Sequence, residues 1–121
     1  MKSLTIMIVE DEEDIADLFS DYLQMKGWKK VVRVSSGKEA LAQIPSKKPD
    51  MIFLDIQLSD NISGIDVLKK TRDVLPKTKI VMMSAYQDEY ESKTKALGAS
   101  GFLRKPFRAD ALDAILNQLL P

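Results

Sequence analysis

Apolar residues in this chain fall into two alternating rhythms. Leu4-Thr-Ile-Met-Ile-Val9 is an almost unbroken apolar run, the composition of a strand covered on both faces. An acidic cluster follows, and then Ile15, Leu18, Phe19, Tyr22 and Leu23 recur at helical spacing up to Gly27. Residues 29–34 read as a second strand whose charges suit a sheet edge. Ser36 is placed to cap a short helix carrying Ala40, Leu41 and Ile44, with Pro45 expected to close it. Pro49 precedes another buried-type run, Met51-Ile-Phe-Leu54, which ends in Asp55. A loop through Gly64 then leads to a helix with Ile65, Leu68 and Leu75 on one side, stopped before Pro76. Ile80-Val-Met-Met83 is the third fully apolar strand. The helix expected over 87–97 is poorly amphipathic, with Tyr90, Ala96 and Leu97 nearly its only anchors, and Gly98 ends it. A short strand over 101–104 meets Pro106, and a strong final helix carries Leu112, Ile115, Leu116, Leu119 and Leu120.

Five strand–helix repeats with short connections predict an α/β, doubly wound five-stranded parallel sheet with five helices on its two faces. The first, third and fourth strands are the most apolar and belong in the centre. The second and fifth are the weak ones and belong at the edges. That ranking gives the order 2-1-3-4-5. No linker, repeat or low-complexity tract interrupts the chain, which reads as one domain over 1–121.

Composition narrows the chemistry. At 121 residues, 45% hydrophobic and 30% charged, the chain has material for one core. Eighteen basic residues balance eighteen acidic ones, so the basic excess of a nucleic-acid-binding domain is missing and direct binding of nucleic acid by this domain is not expected. No apolar stretch is long enough to span a membrane and no signal-peptide pattern is present, so a cytoplasmic location is the default expectation. Cysteine and histidine are both absent, which removes thiolates, disulfides and the commonest general base. Carboxylates, hydroxyls and lysines remain, and any metal should be a hard, oxygen-preferring one.

In an open sheet of this order, ligands bind beyond the carboxyl ends of the strands where the order reverses, between strands one and three. Strand one delivers Glu10 and Asp11 there, strand three Asp55, strand four Ser84 and strand five Lys105. Each has a bland explanation when taken alone. Acids are favoured at a helix start, Asp55 can serve a turn, Ser84 can cap a helix, and Lys105-Pro106 can be an ordinary turn. Five such residues on one rim are harder to explain that way. Clustered carboxylates recruit a cation, Mg²⁺ suits hard oxygen ligands, and a metal and a lysine beside an ionised carboxylate favour phosphoryl transfer to Asp55.

Along its whole length the sequence resembles the receiver domains of response regulators. Ile8-Val9-Glu10-Asp11-Glu12, Ile52-Phe53-Leu54-Asp55-Ile56, Met83-Ser84-Ala85 and Gly98 through Phe107 carry the likeness. The resemblance implies a flavodoxin-like receiver fold and a phosphoacceptor switch of a two-component system. Asp55 would take the phosphoryl group from a sensor histidine kinase or a phosphotransfer protein. It implies Mg²⁺, with Mn²⁺ as an alternative, held by Glu10, Asp11, Asp55 and the Gln57 backbone carbonyl. It further implies that Ser84 and Lys105 bond the phosphoryl oxygens, that Lys105-Pro106 is cis, and that Phe102 turns inward as Ser84 moves. Gln57 and Tyr86 stand where the family tunes phosphoryl lifetime. The output would be an effector domain or protein reached through the face of the fourth helix, fifth strand and fifth helix, with dimerisation there on phosphorylation as one form. Such a domain is not a turnover enzyme, although it phosphorylates itself from small donors and dephosphorylates itself with Mg²⁺. The loop from Asp55 to Gly64 is one residue longer than usual, Ser59 stands where proline is common, and Phe102 lacks a tyrosine hydroxyl. A haloacid-dehalogenase-type phosphatase would carry a second Asp where this chain has Gln57, and an FMN binder would lack the acids after strand one. A pseudo-receiver acting as an interaction module would normally lack one of the acids or the lysine.

Overall fold

The computed structural model describes residues 3–121; Met1 and Lys2, included in the 1–121 domain reading, lie outside them. The order is β1 (Thr5–Val9), α1 (Glu13–Met25), β2 (Lys30–Val34), α2 (Gly37–Lys47), β3 (Met51–Asp55), α3 (Gly64–Val74), β4 (Lys79–Ser84), α4 (Gln87–Ala96), β5 (Gly101–Arg104) and α5 (Ala109–Leu119). All strand pairs are parallel and the sheet order is β2-β1-β3-β4-β5. The three apolar runs occupy the centre and the two charged strands the edges, as the burial logic requires.

Each strand feeds two cores, because successive side chains point to opposite faces. Met7, Val9, Ile52, Leu54, Ile80, Met82 and Phe102 pack with Ala40 and Ile44 of α2 and with Val67 and Leu68 of α3, and Tyr90 of α4 leans on the same cluster. Ile6, Ile8, Met51, Phe53, Val81, Met83 and Leu103 pack with Phe19 and Leu23 of α1 and Leu112 and Leu116 of α5. The helices therefore divide between the faces, α2, α3 and α4 on one and α1 and α5 on the other.

Three local expectations need correcting. Pro45 does not close α2; it lies inside the helix, which continues to Lys47 and ends where Lys48 adopts φ 46° and donates its N–H to the Ile44 carbonyl at 2.9 Å. A proline in the last turn has helical φ and removes only one N–H, so it weakens the helix without stopping it. Leu18 is not a core anchor of α1 but 73% exposed, and Ala16 is buried instead. In α4 Tyr90 and Leu97 pack against the core as expected, but Ala96 faces solvent and the fully buried residue is Thr94, 1% exposed. The Thr94 hydroxyl returns to the Tyr90 carbonyl at 2.9 Å, and that bond lets a polar side chain fill an apolar position.

The loop after β3 is held from both ends. Ile56 donates to the Met83 carbonyl at 3.0 Å, and Gly64 donates to the Ile56 carbonyl at the same distance. A Cβ on Gly64 would collide with the Asp55 carbonyl oxygen and come within 2.8 Å of the Ile56 Cα. Gly64→Ala must therefore push the start of α3 off the end of β3. Overpacking of this kind costs about 1–3 kcal/mol, and urea denaturation is expected to show that loss.

Candidate functional site

Strand register sets the site. Val9 is level with Leu54, Asp55 with Met83, and Ser84 with Arg104. One further step along each chain puts Glu10 level with Asp55 and puts Lys105 just beyond Ser84. Alternation then separates the side chains by face. Glu10 continues Ile6 and Ile8, Asp55 continues Met51 and Phe53, and Lys105 continues Leu103, all directed toward the α1/α5 side. Ser84 continues Ile80 and Met82, directed toward the α3/α4 side.

The contacts follow this division. The Lys105 ammonium donates to Glu10 Oε1 at 2.7 Å and to Asp55 Oδ2 at 2.9 Å. Glu10 is 2% exposed and Asp55 3%, so both carboxylates have left bulk water. Their remaining oxygens accept from the backbone: Glu12 N–H donates to Glu10 Oε2 at 3.2 Å, and Gln57 N–H to Asp55 Oδ1 at 3.1 Å. One oxygen each from Glu10, Asp11 and Asp55 lies within 4.8 Å of the others. Lys105 itself is placed by β5, whose ladder continues as the Lys105 N–H donates to the Ser84 carbonyl at 2.9 Å. Beyond it the Lys105-Pro106 bond is cis, as expected. The Phe107 ring packs edge-on against Phe19 at 5.3 Å, which ties this loop to α1.

Burial pushes the Glu10 carboxyl up from its ordinary 4.5 to about 7; the bond to Lys105 opposes this and the nearby Asp55 charge adds to it. For Lys105, burial pulls the ammonium down, but hydrogen bonds and charge from Glu10 and Asp55 outweigh it and the net shift is upward. An acidic pocket with an excess of carboxylate over ammonium is suited to a hard divalent cation.

Ser84 is fully buried and belongs to a separate set of contacts. Its hydroxyl donates to Gln57 Oε1 at 3.0 Å and accepts from the Tyr86 N–H at 3.0 Å. Gln57 and Tyr86, the latter 58% exposed, both reach the surface. Phe102 lies in the core at 9% exposure. Register and alternation thus bring Glu10, Asp11, Asp55 and Lys105 into one group and place Ser84 beside Gln57.

Three features escaped the sequence reading. Asp60 accepts from the Gly37 N–H at 3.1 Å and the Lys38 N–H at 2.9 Å, fastening the long β3–α3 loop to the start of α2. Those bonds, Lys38 first, hold its carboxyl below the usual range. Arg72 donates to the carbonyls of Gly98 at 2.7 Å and Thr78 at 2.6 Å and to the Ser100 hydroxyl at 3.3 Å, tying the end of α3 to the α4–β5 turn. An apolar groove of about 630 Å³ runs between α1 and α5, lined by Ile15, Leu18, Tyr22, Phe107 and Leu112, and meets the acidic site at Lys105. Of the three, the groove alone left a trace in the sequence, as Leu18, whose helical spacing places it with the buried face of α1 although it lies on the groove.

Comparison with known proteins agrees with this geometry. The family described as "Response regulator receiver domain" matches residues 6–117. The alkaline phosphatase synthesis transcriptional regulatory protein PhoP of Bacillus subtilis is 34% identical over 116 residues, covering 95% of this chain and 48% of that protein. This chain thus spans about half the length of curated relatives such as PhoP. The structure of chemotaxis protein CheY4 of Vibrio cholerae is similar at TM-score 0.88 and 29% identity, covering 98% of this chain and 99% of that one. The receiver domain of a Pseudomonas aeruginosa sensor histidine kinase shares the fold at TM-score 0.86 and 22% identity, over 97% of each chain, and that structure has a magnesium ion coordinated in its active-site cleft.

The raised Glu10 value has a sign that can be tested in the metal-free protein. Glu10 binds its proton more tightly folded than unfolded, so its contribution favours folding below pH 4.5 and is lost as the pH rises from 4.5 to about 7. Across that window Glu10→Gln is expected to flatten the fall in stability seen for wild type. Parallel urea curves at several pH values in EDTA measure it, and equal slopes for the two proteins would contradict it.

Proposed function

This chain belongs to the response regulator receiver-domain family, and on that footing we propose that it is the phosphoacceptor switch of a two-component system, with Asp55 as the residue phosphorylated. The observation that carries the reading is the grouping of the Glu10, Asp11 and Asp55 carboxylates at the carboxyl edge of the sheet, with the Lys105 ammonium paired to Glu10 and Asp55. Phosphorylation and Mg²⁺ binding are typical of the family. The donor set here is three carboxylates without histidine or cysteine, which fits Mg²⁺ and, as an alternative, Mn²⁺. Glu10, Asp11 and Asp55, with the Gln57 backbone carbonyl, would hold the ion, which when bound supplies positive charge against the acids and against the transferring group.

The chain's own residues do the rest. An Asp55 oxygen attacks phosphorus, the bond to the donor's leaving group breaks, and the leaving group departs with the bonding pair. The Gln57 N–H holds the Asp55 carboxylate in orientation through Oδ1. Lys105, already bonded to Asp55 Oδ2, passes its N–H to a phosphoryl oxygen as charge gathers there. Ser84 then donates its hydroxyl to another phosphoryl oxygen, drawing in the loop at the start of α4, and Phe102 repacks within the core beside it. Gln57 and Tyr86 govern access of water to the acyl phosphate. The added charge of about −1.5 to −2 is what the moving groups respond to.

The donor is a protein, a sensor histidine kinase or phosphotransfer protein. The apolar groove that ends at Lys105, with Leu18 exposed beside it, supports a protein-sized contact next to Asp55. The output is an effector domain or protein engaged through the α4-β5-α5 face. There α4 has one buried residue and no side-chain cap at its start, the condition for an element that moves at low cost.

Incubation with a small acyl phosphate and Mg²⁺, followed by intact mass, tests the reading. Wild type is expected to gain one phosphoryl group, and Asp55→Asn or EDTA to prevent it. A gain retained in Asp55→Asn would refute the assignment. Amide exchange over 85–97 is expected to change on binding of a phosphoryl mimic while β1 stays protected; unchanged exchange in α4 would contradict the output route.

A further inference from the structure

Ser84 has one hydroxyl proton, and in this structure that proton is already committed. The oxygen accepts the Tyr86 N–H, and the proton goes to Gln57 Oε1, both at 3.0 Å. Ser84 is 0% exposed, so water is not at hand to replace the amide as acceptor. Building on the phosphoacceptor reading of Asp55, we propose that the Gln57 side chain is a positioning residue that latches the Ser84 hydroxyl away from the phosphoryl site, so that switching is an exchange of acceptors at one serine.

The physical case rests on competition. A neutral amide oxygen and a phosphoryl oxygen cannot both take the same proton. The phosphoryl oxygen is charged, and charge-assisted hydrogen bonds are roughly twice as strong as neutral ones. Without phosphate the Gln57 amide has no rival, and with phosphate it is the weaker acceptor. The Gln57 side chain is exposed, so water solvates it on release and the exchange leaves no buried group unsatisfied. Ser84 by contrast must find a partner in either state.

Both ends of the latch connect to the parts that change. The Gln57 N–H donates to Asp55 Oδ1 at 3.1 Å, so the residue that holds Ser84 is also tied to the carboxylate at the centre of the site. The Ser84 hydroxyl holds the N–H of Tyr86, the residue just before α4, whose own side chain makes no capping bond to the helix. Moving the hydroxyl therefore moves the bond that ties the end of β4 to the start of α4. Gln57 on this account sets the free-energy gap between resting and active states, apart from any effect on water access.

A double-mutant cycle with beryllofluoride and Mg²⁺ tests the latch. Gln57→Met keeps the length and removes the acceptor. It is expected to tighten beryllofluoride binding by about three- to tenfold when Ser84 is present, the range for one neutral hydrogen bond. In a Ser84→Ala background the same substitution is expected to change binding little. Equal tightening in both backgrounds, or none with Ser84 present, would overturn the proposal. The resting state is read separately, with neither metal nor mimic. The Tyr86 amide resonance is expected to shift in Gln57→Met and to stay near its wild-type position in Gln57→Glu, which keeps an acceptor. An unmoved Tyr86 resonance in Gln57→Met would also overturn it. Failure of wild type to bind beryllofluoride would count against the role of Asp55, whereas the Tyr86 resonance judges the latch by itself.

Discussion

One ammonium group shared between two buried carboxylates governs the carboxyl edge of this sheet. Glu10 and Asp55 are brought together by adjacent strands and stripped of water, and Lys105 at 2.7 and 2.9 Å is what makes that arrangement tolerable. Such a group is poor as a source of stability, because the desolvation of three charges offsets most of their attraction. The energy that holds them in place comes from elsewhere, from the two apolar cores on either side of the sheet. The site is a local cost carried by a well-packed fold, and the upward shift of Glu10 is the trace it leaves.

The two-residue alternation of strands gives the site its division of labour. Glu10, Asp55 and Lys105 share the side of α1 and α5, whereas Ser84 belongs to the side of α3 and α4. The acids and the ammonium are thus assembled on one side, while the hydroxyl is kept with Gln57 on the other. On the proposed reading, a charge placed on Asp55 would meet groups of both faces, and the α4 side carries a helix with a single buried residue, Thr94.

The far end of α4 is held differently from its start. Gly98 takes φ 102°, Arg72 bonds the Gly98 carbonyl, and the Ser100 N–H donates to the Ile80 carbonyl at 2.7 Å. The start has the Tyr86–Ser84 bond and no side-chain cap. The helix is thus held by several bonds at its far end and by the Tyr86–Ser84 bond at its start.

Local pattern was enough to find the five strands, the five helices and the sheet order, since burial on both faces of a parallel sheet writes apolar runs into the sequence. It also placed Glu10, Asp11, Asp55, Ser84 and Lys105 at the carboxyl edge, because each stands at the end of a strand or within two residues of it. Contacts between distant segments left no such mark. Thr94 looks like a surface residue until its hydroxyl is seen to turn back on its own helix, and Leu18 looks like core until the groove beside it is seen. Pro45 reads as a stop only if the helix's remaining turn is ignored. Asp60 and Arg72 are ordinary surface types with partners 22 to 28 residues away, at Gly37 and Lys38 for Asp60 and at Gly98 and Ser100 for Arg72. What the chain alone determined is which side chains reach the carboxyl edge, because strand length and alternation are local properties. Which of them share a proton or a charge was decided by register between strands, and register exists only once the sheet has formed.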